Sequence, residues 1–210
     1  ETAIESLRSW EKLTEQAAPL RPDLVIWPEG AVPFNPHSDH QARVLGNRSP
    51  KQYFEEMTGE GDFDLLIGGG TIERGEGDSY TAHNSVYVFT RDGQLSDRYD
   101  KIVPLPFGEY NPFADTFPWL KDMVQGPGDF RAGERPTVFI GSNQVGDTFT
   151  YTVPICYEAI LDGVMFDLFE GDDPGPSGGI FSSKGARGPV DLFVTITNDA
   201  RTLDPREVAR

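Results

Sequence analysis

"HNSVYVFTRDGQLSDRYDK", residues 83–101, reads as two strands around a turn. The Asp92-Gly93 pair marks the turn, because glycine accepts the positive φ that a tight hairpin connection demands. A second strand pair follows in "PTVFI" (136–140) and "DTFTYTVPICYE" (147–158). Upstream, "DLVIWP" (23–28) and "FDLLIGGGTI" (63–72) are short apolar runs, expected as strands buried on both faces. "VDLFVTITND" (190–199) is one more apolar strand. Two helices are expected. "TAIESLRSWEKLTEQA" (2–17) carries Ile4, Leu7, Trp10 and Leu13 at helical spacing, with Thr2 and Glu5 as a capping box. "SPKQYFEEMTG" (49–59) opens with Ser49 as N-cap and Pro50 at the first helical position. Residues 103–119 are rich in Pro and Phe and fit no single regular element, and residues 171–189 read as a Gly-, Pro- and Ser-rich loop. Helices and buried strands first, then hairpins, predict an α/β fold of mixed strand direction with two stacked sheets and helices outside.

The 210 residues suit one domain, 1–210. A net charge of −16 repels phosphate backbones, so no nucleic-acid partner is expected. No stretch approaches the roughly 20 apolar residues of a membrane span. One cysteine excludes an intrachain disulfide framework and a Cys-rich zinc site.

Three polar residues stand just past strand ends: Glu29 after "DLVIWP", Lys101 after "LSDRYD" and Cys156 after "YTVPI". Reactive groups converge at such positions in α/β sheets. Each has a plainer reading: a solvated turn Glu, a surface Lys, a small buried Cys. Together they form a set for acyl transfer without histidine. The carboxylate can take the thiol proton and return it to a leaving group, and the ammonium can favour the thiolate and hold an oxyanion. This chemistry calls for no cofactor and no metal. His37 and His40, in a polar loop with Asp39, are not needed for it.

"PDLVIWPEGAVPF" (22–34), "DRYDKIVPLPFGEY" (97–110) and "VPICYEAI" (153–160) resemble the three blocks of the nitrilase, or carbon–nitrogen hydrolase, superfamily. The wording is similar to the apolipoprotein N-acyltransferase branch, as is "TNDA" (197–200). The resemblance implies a nitrilase-like four-layer α-β-β-α sandwich with Glu29 as general base, Lys101 as oxyanion stabiliser and Cys156 as nucleophile. It further implies that Glu109 holds the triad beside the lysine and that Glu158 supports the cysteine loop, with Tyr157 and Trp27 flanking the motifs. The implied reaction moves an acyl chain from a phospholipid donor to Cys156 as a thioester. The acyl chain then passes to the N-terminal amine of a diacylglyceryl-modified apolipoprotein acceptor. The implied location is the periplasmic side of a bacterial inner (cytoplasmic) membrane, held by membrane segments outside this chain. Phe107, Phe113, Phe117 and Trp119 near the lysine, and residues 162–183 after the cysteine, are candidate coverings for the site.

The chain departs from the family pattern by opening with a helix, by the Gly-Pro stretch before residue 190, and by Arg201 and "TLDPREVAR" after "TNDA". These departures predict a domain truncated at both ends. The alternatives are a soluble, cytoplasmic amidase or nitrilase using the same triad, and a catalytically dead domain kept for binding or assembly.

Overall fold

Gly93, at φ 77°, closes the central hairpin, with its N–H on the Thr90 carbonyl at 2.9 Å and the Thr90 N–H on the Gln94 carbonyl at 2.7 Å. The computed structural model describes residues 3–40, 43–75, 79–111, 130–170 and 190–198. The hairpin strands are β3 (Tyr80–Phe89) and β4 (Leu95–Asp100). β2 (Asp64–Arg74) runs antiparallel to β3 from Leu65 opposite Phe89 to Arg74 opposite Tyr80. β1 (Leu24–Ile26) lies parallel to β2, giving a mixed sheet of order β1-β2-β3-β4. A second sheet has the order β5-β6-β7, from β5 (Phe139–Ser142), β6 (Thr148–Thr152) and β7 (Leu192–Phe193). Mixed direction and two sheets are what the sequence predicts.

Strand alternation sends side chains of the first sheet to two cores. Leu65, Ile67, Tyr87 and Phe89 pack with Leu7 of α1 (Ala3–Ala17), with Tyr53 and Phe54 of α2 (Pro50–Gly61), and with Trp27. Leu66, Val86, Val88 and Tyr99 face the other way and pack with Phe139, Tyr151, Val153, Ile155 and Ile196 around the second sheet. α3 (Asp162–Glu170) adds Val164 and Leu168 to that core, and its Phe169 stacks on Phe193 of β7 with centroids 6.2 Å apart.

α2 starts where the sequence says. Ser49 Oγ accepts from the Gln52 N–H at 3.2 Å, Gln52 Oε1 accepts from the Ser49 N–H at 3.1 Å, and Pro50 follows. Three expectations change. β1 is not buried on both faces: it is a three-residue strand that pairs, among the described residues, with β2 alone, and its Ile26 is 46% exposed. The final apolar run supplies only the two-residue β7 and an isolated bridge from Ile196 to Ile155. Residues 162–170 of the expected covering form α3, because Val164 and Leu168 recur at helical spacing toward the second core. The rest of that stretch, and Thr2, Phe113, Phe117, Trp119 and Ala200, lie outside the described residues. No helix among the described residues is long and apolar enough to cross a membrane.

Candidate functional site

Glu29 is set by how closely its loop lies on β2. The Trp27 N–H reaches the Leu66 carbonyl at 2.8 Å and the Ala31 N–H reaches the Gly68 carbonyl at 3.0 Å. A side chain at Gly68 would bring its Cβ to 2.6 Å from the Glu29 Cα, so glycine permits the approach. Both oxygens of Glu29 are held. Oε1 accepts from Asn84 Nδ2 at 2.7 Å, and Oε2 accepts from the Asn198 N–H at 3.0 Å.

Lys101 follows β4 and is 1% exposed. Its N–H donates to the Asn84 carbonyl at 2.9 Å, and its carbonyl accepts from the Gly133 N–H at 2.8 Å. Its Nζ donates to Glu109 Oε2 at 2.7 Å. Glu109 also accepts from the Leu105 N–H at 2.7 Å and, on Oε1, from Asn84 Nδ2 at 2.6 Å. Burial alone would push the Glu109 carboxyl up. Donation from Lys101, Leu105 and Asn84 outweighs it and holds the group below its ordinary value. A buried ammonium is tolerable because this partner is so close and so fully hydrogen-bonded itself.

Cys156 lies past β6 and opens a 3-10 turn, Cys156–Ile160, with a left-handed φ of 51° and a free, half-buried thiol. Such a φ is uncommon for a residue with a Cβ and persists where surroundings enforce it. Two ties enforce it here. The Cys156 N–H donates to the Ile196 carbonyl at 2.8 Å, two residues before the Asn198 that holds Glu29. Glu158, fully buried, gathers donors from both sheets. Its Oε1 accepts from the N–H groups of Ile102 at 2.7 Å and Val103 at 3.0 Å, its Oε2 from the Ile155 N–H at 2.9 Å, and both from the Tyr99 hydroxyl at 2.9 Å. Burial pushes this carboxyl above its ordinary value against the pull of those donors.

Glu29, Lys101 and Glu109 thus meet through Asn84, and the Cys156 loop is fastened to both sides of that group. Trp27 is a core residue instead. It is 1% exposed, donates Nε1 to Thr14 Oγ1 of α1 at 2.9 Å, and packs edge-on against Phe54. Tyr157 is half-buried beside the cysteine. Phe107, at φ 61°, is 61% exposed in the loop between Lys101 and Glu109. Sequence reading misses Asn84 and Gly68. The available signal was a polar residue at 84 in a strand whose Val86 and Val88, at the same parity, face the second core. A carboxylate, a buried ammonium and a free thiol at neighbouring strand ends can together support acyl transfer.

The model of the carbon–nitrogen hydrolase family matches residues 3–172. The chain belongs to the carbon–nitrogen hydrolase family. Its relatives include the apolipoprotein N-acyltransferase of Brucella suis, 32% identical over 184 residues, covering 78% of this chain and 32% of that protein. The apolipoprotein N-acyltransferase of Geobacter metallireducens is 27% identical over 200 residues, covering 93% of this chain and 32% of that protein. This carbon–nitrogen hydrolase chain therefore spans about a third of the length of such relatives. Among solved structures, a mutant amidase from Nesterenkonia sp. AN1, with acrylamide added at its active-site cysteine, superposes with a TM-score of 0.55. It is 12% identical and the match covers 93% of this chain and 61% of the amidase, so the likeness is one of fold.

Proposed function

We propose that residues 1–210 form one nitrilase-like α-β-β-α domain that transfers fatty acyl chains onto lipoproteins. Cys156 Sγ loses its proton to Glu29 and attacks the ester carbonyl of a phospholipid. The Lys101 ammonium stabilises the oxyanion. The ester C–O bond breaks, Glu29 returns the proton to the leaving alkoxide, and a lysophospholipid departs. The Cys156 thioester is then attacked by the N-terminal amine of a diacylglyceryl-modified lipoprotein cysteine. Glu29 takes the amine proton, the C–S bond breaks, the proton returns to sulfur and an amide is released. Glu109 keeps the lysine in place, and Glu158 keeps the cysteine loop in place. Segments outside this chain hold the domain on the periplasmic side of the inner membrane.

The observation that carries the proposal is the joining of Glu29 to the Lys101–Glu109 pair through Asn84, beside a loop that holds a strained cysteine. The names of the relatives supply the acceptor class, an apolipoprotein acylated on nitrogen, and the phospholipid donor is part of the proposal. The test is intact mass spectrometry of the full-length protein after incubation with phospholipid, beside Cys156→Ser. A gain of one fatty acyl group, removed by hydroxylamine in the wild type and absent or hydroxylamine-resistant in the variant, supports the thioester. No adduct, together with ammonia released from a small amide or nitrile, overturns the proposal in favour of a hydrolase.

A further inference from the structure

We infer that Asn84 is a positioning residue that keeps the base, Glu29, from collapsing onto Lys101, so that carboxylate and ammonium face the thiol as separate groups. The inference rests on the proposed role of Glu29 as base. Four charged or reactive groups come from four places in the chain: Glu29 after β1, Lys101 after β4, Glu109 from the following loop and Cys156 after β6. Lys101 is one cation between two carboxylates. Left to electrostatics, Glu29 and Glu109 would both close on it, since a buried charge pair attracts far more strongly than an exposed one.

Asn84 prevents this with a single nitrogen. Nδ2 carries two hydrogens, and it lies 2.7 Å from Glu29 Oε1 and 2.6 Å from Glu109 Oε1. The amide orientation is settled chemically, because turning it over would set a carbonyl oxygen against two carboxylate oxygens. The other oxygen of each carboxylate is engaged elsewhere, Glu109 Oε2 by Lys101 Nζ and Glu29 Oε2 by the Asn198 N–H. The ammonium is therefore assigned to Glu109, and among the described residues Glu29 is held by neutral donors. The same residue fixes the lysine backbone, since the Lys101 N–H donates to the Asn84 carbonyl. Asn84 is 8% exposed and sits inside regular β3 pairing opposite Gly70, so its side chain starts from a rigid base.

The experiment follows the alkylation of Cys156 by iodoacetamide in the full-length protein. Intact mass gives the rate from about pH 5 to about pH 9, across the range where an acyl-transfer base and its thiol work. The chains are wild type, Glu29→Gln, Asn84→Asp and Asn84→Ser. Asparagine to aspartate keeps the shape but removes both donors and adds a third carboxylate. It should slow alkylation at least about tenfold at neutral pH and move the acid-side midpoint of the profile upward, since clustered carboxylates retain protons. Serine can reach only one of the two carboxylates, and it should slow the reaction by an intermediate factor. It also gives the answer if the aspartate variant does not fold. Slowed Glu29→Gln beside unaltered rates and midpoints in both Asn84 variants would overturn this inference alone. A Glu29→Gln rate equal to wild type would overturn the base assignment, and this inference with it.

Discussion

Replacing Gly68 with alanine puts one methyl group where the Glu29 loop already lies. The new Cβ would stand 2.6 Å from the Glu29 Cα and 2.9 Å from its nitrogen, and closer still to the Pro28 carbonyl oxygen. These are backbone atoms, so no side-chain rotation relieves the overlap. The tightest contact, to the Pro28 oxygen, requires the loop to retreat by about 1 Å to reach ordinary contact near 3.4 Å. A misplacement of about 1 Å at reacting groups can cost about 10²-fold in rate. On the proposed function, acylation of Cys156 by phospholipid should slow by roughly 30- to 100-fold, with overpacking costing about 1–3 kcal/mol of stability. Gly70 is the internal control. It lies two residues further along the same strand, and a Cβ there meets nothing within 4 Å. Gly70→Ala should therefore acylate at the wild-type rate and be as stable or slightly more so. The assay is single-turnover acylation by intact mass, with thermal melts alongside. Equal rates for Gly68→Ala and wild type would refute the reasoning, and so would equal losses in the two alanine variants.

Glu158→Gln puts an amide against donors only, leaving one buried N–H without an acceptor. The expected cost is about 1–3 kcal/mol, or about 2–12 °C in the melting temperature of a chain this size, read by calorimetry. Lys101→Met strands Glu109 and should destabilise by about 3 kcal/mol, and adding Glu109→Gln should recover much of that in a denaturant double-mutant cycle. Glu109 is held below the ordinary value of 4.5, so its contribution is complete above that pH and is lost as pH falls through the lower folded value. Melts from neutral to strongly acidic pH should show wild type and Glu109→Gln converging at the acid end. Ser49→Ala removes the reciprocal cap of α2 and should cost about 1 kcal/mol by denaturant titration.

What could be read along the chain was what local chemistry decides. Ser49 and Pro50 start α2 because the cap is made within four residues, and Asp92-Gly93 closes its turn for the same reason. The resemblance in three separated blocks pointed to the family, and the family model matches residues 3–172. Relations across the fold were not readable. Glu158 and Tyr99 are 59 positions apart, and Glu29 and Asn84 are 55 apart, so no periodicity announces either contact. Asn84 looks like an ordinary polar residue near a strand end. Gly68 looks like one of three flexible glycines, whereas its neighbour Gly70 has open space around it. The apolar "LVI" of β1 promised full burial, but burial depends on what packs against each face of the sheet, and Ile26 is 46% exposed. Trp27 sits within a family motif two residues before Glu29, yet it serves the core under α1, where its Nε1 donates to Thr14.

The Glu158 carboxylate has a consequence for motion. It bonds backbone amides on the lysine loop and on the cysteine loop at once, so neither loop can open without releasing the other. The two behave as one cooperative unit. Amide hydrogens at Ile102, Val103 and Ile155 should then exchange with solvent at a common slow rate, although Ile155 is more than fifty positions from the other two. The stretch between those fixed points and Glu109 is held as well: Phe107 is 61% exposed, yet its N–H donates to the Tyr110 carbonyl at 2.7 Å, so the tie extends along the loop as far as Glu109.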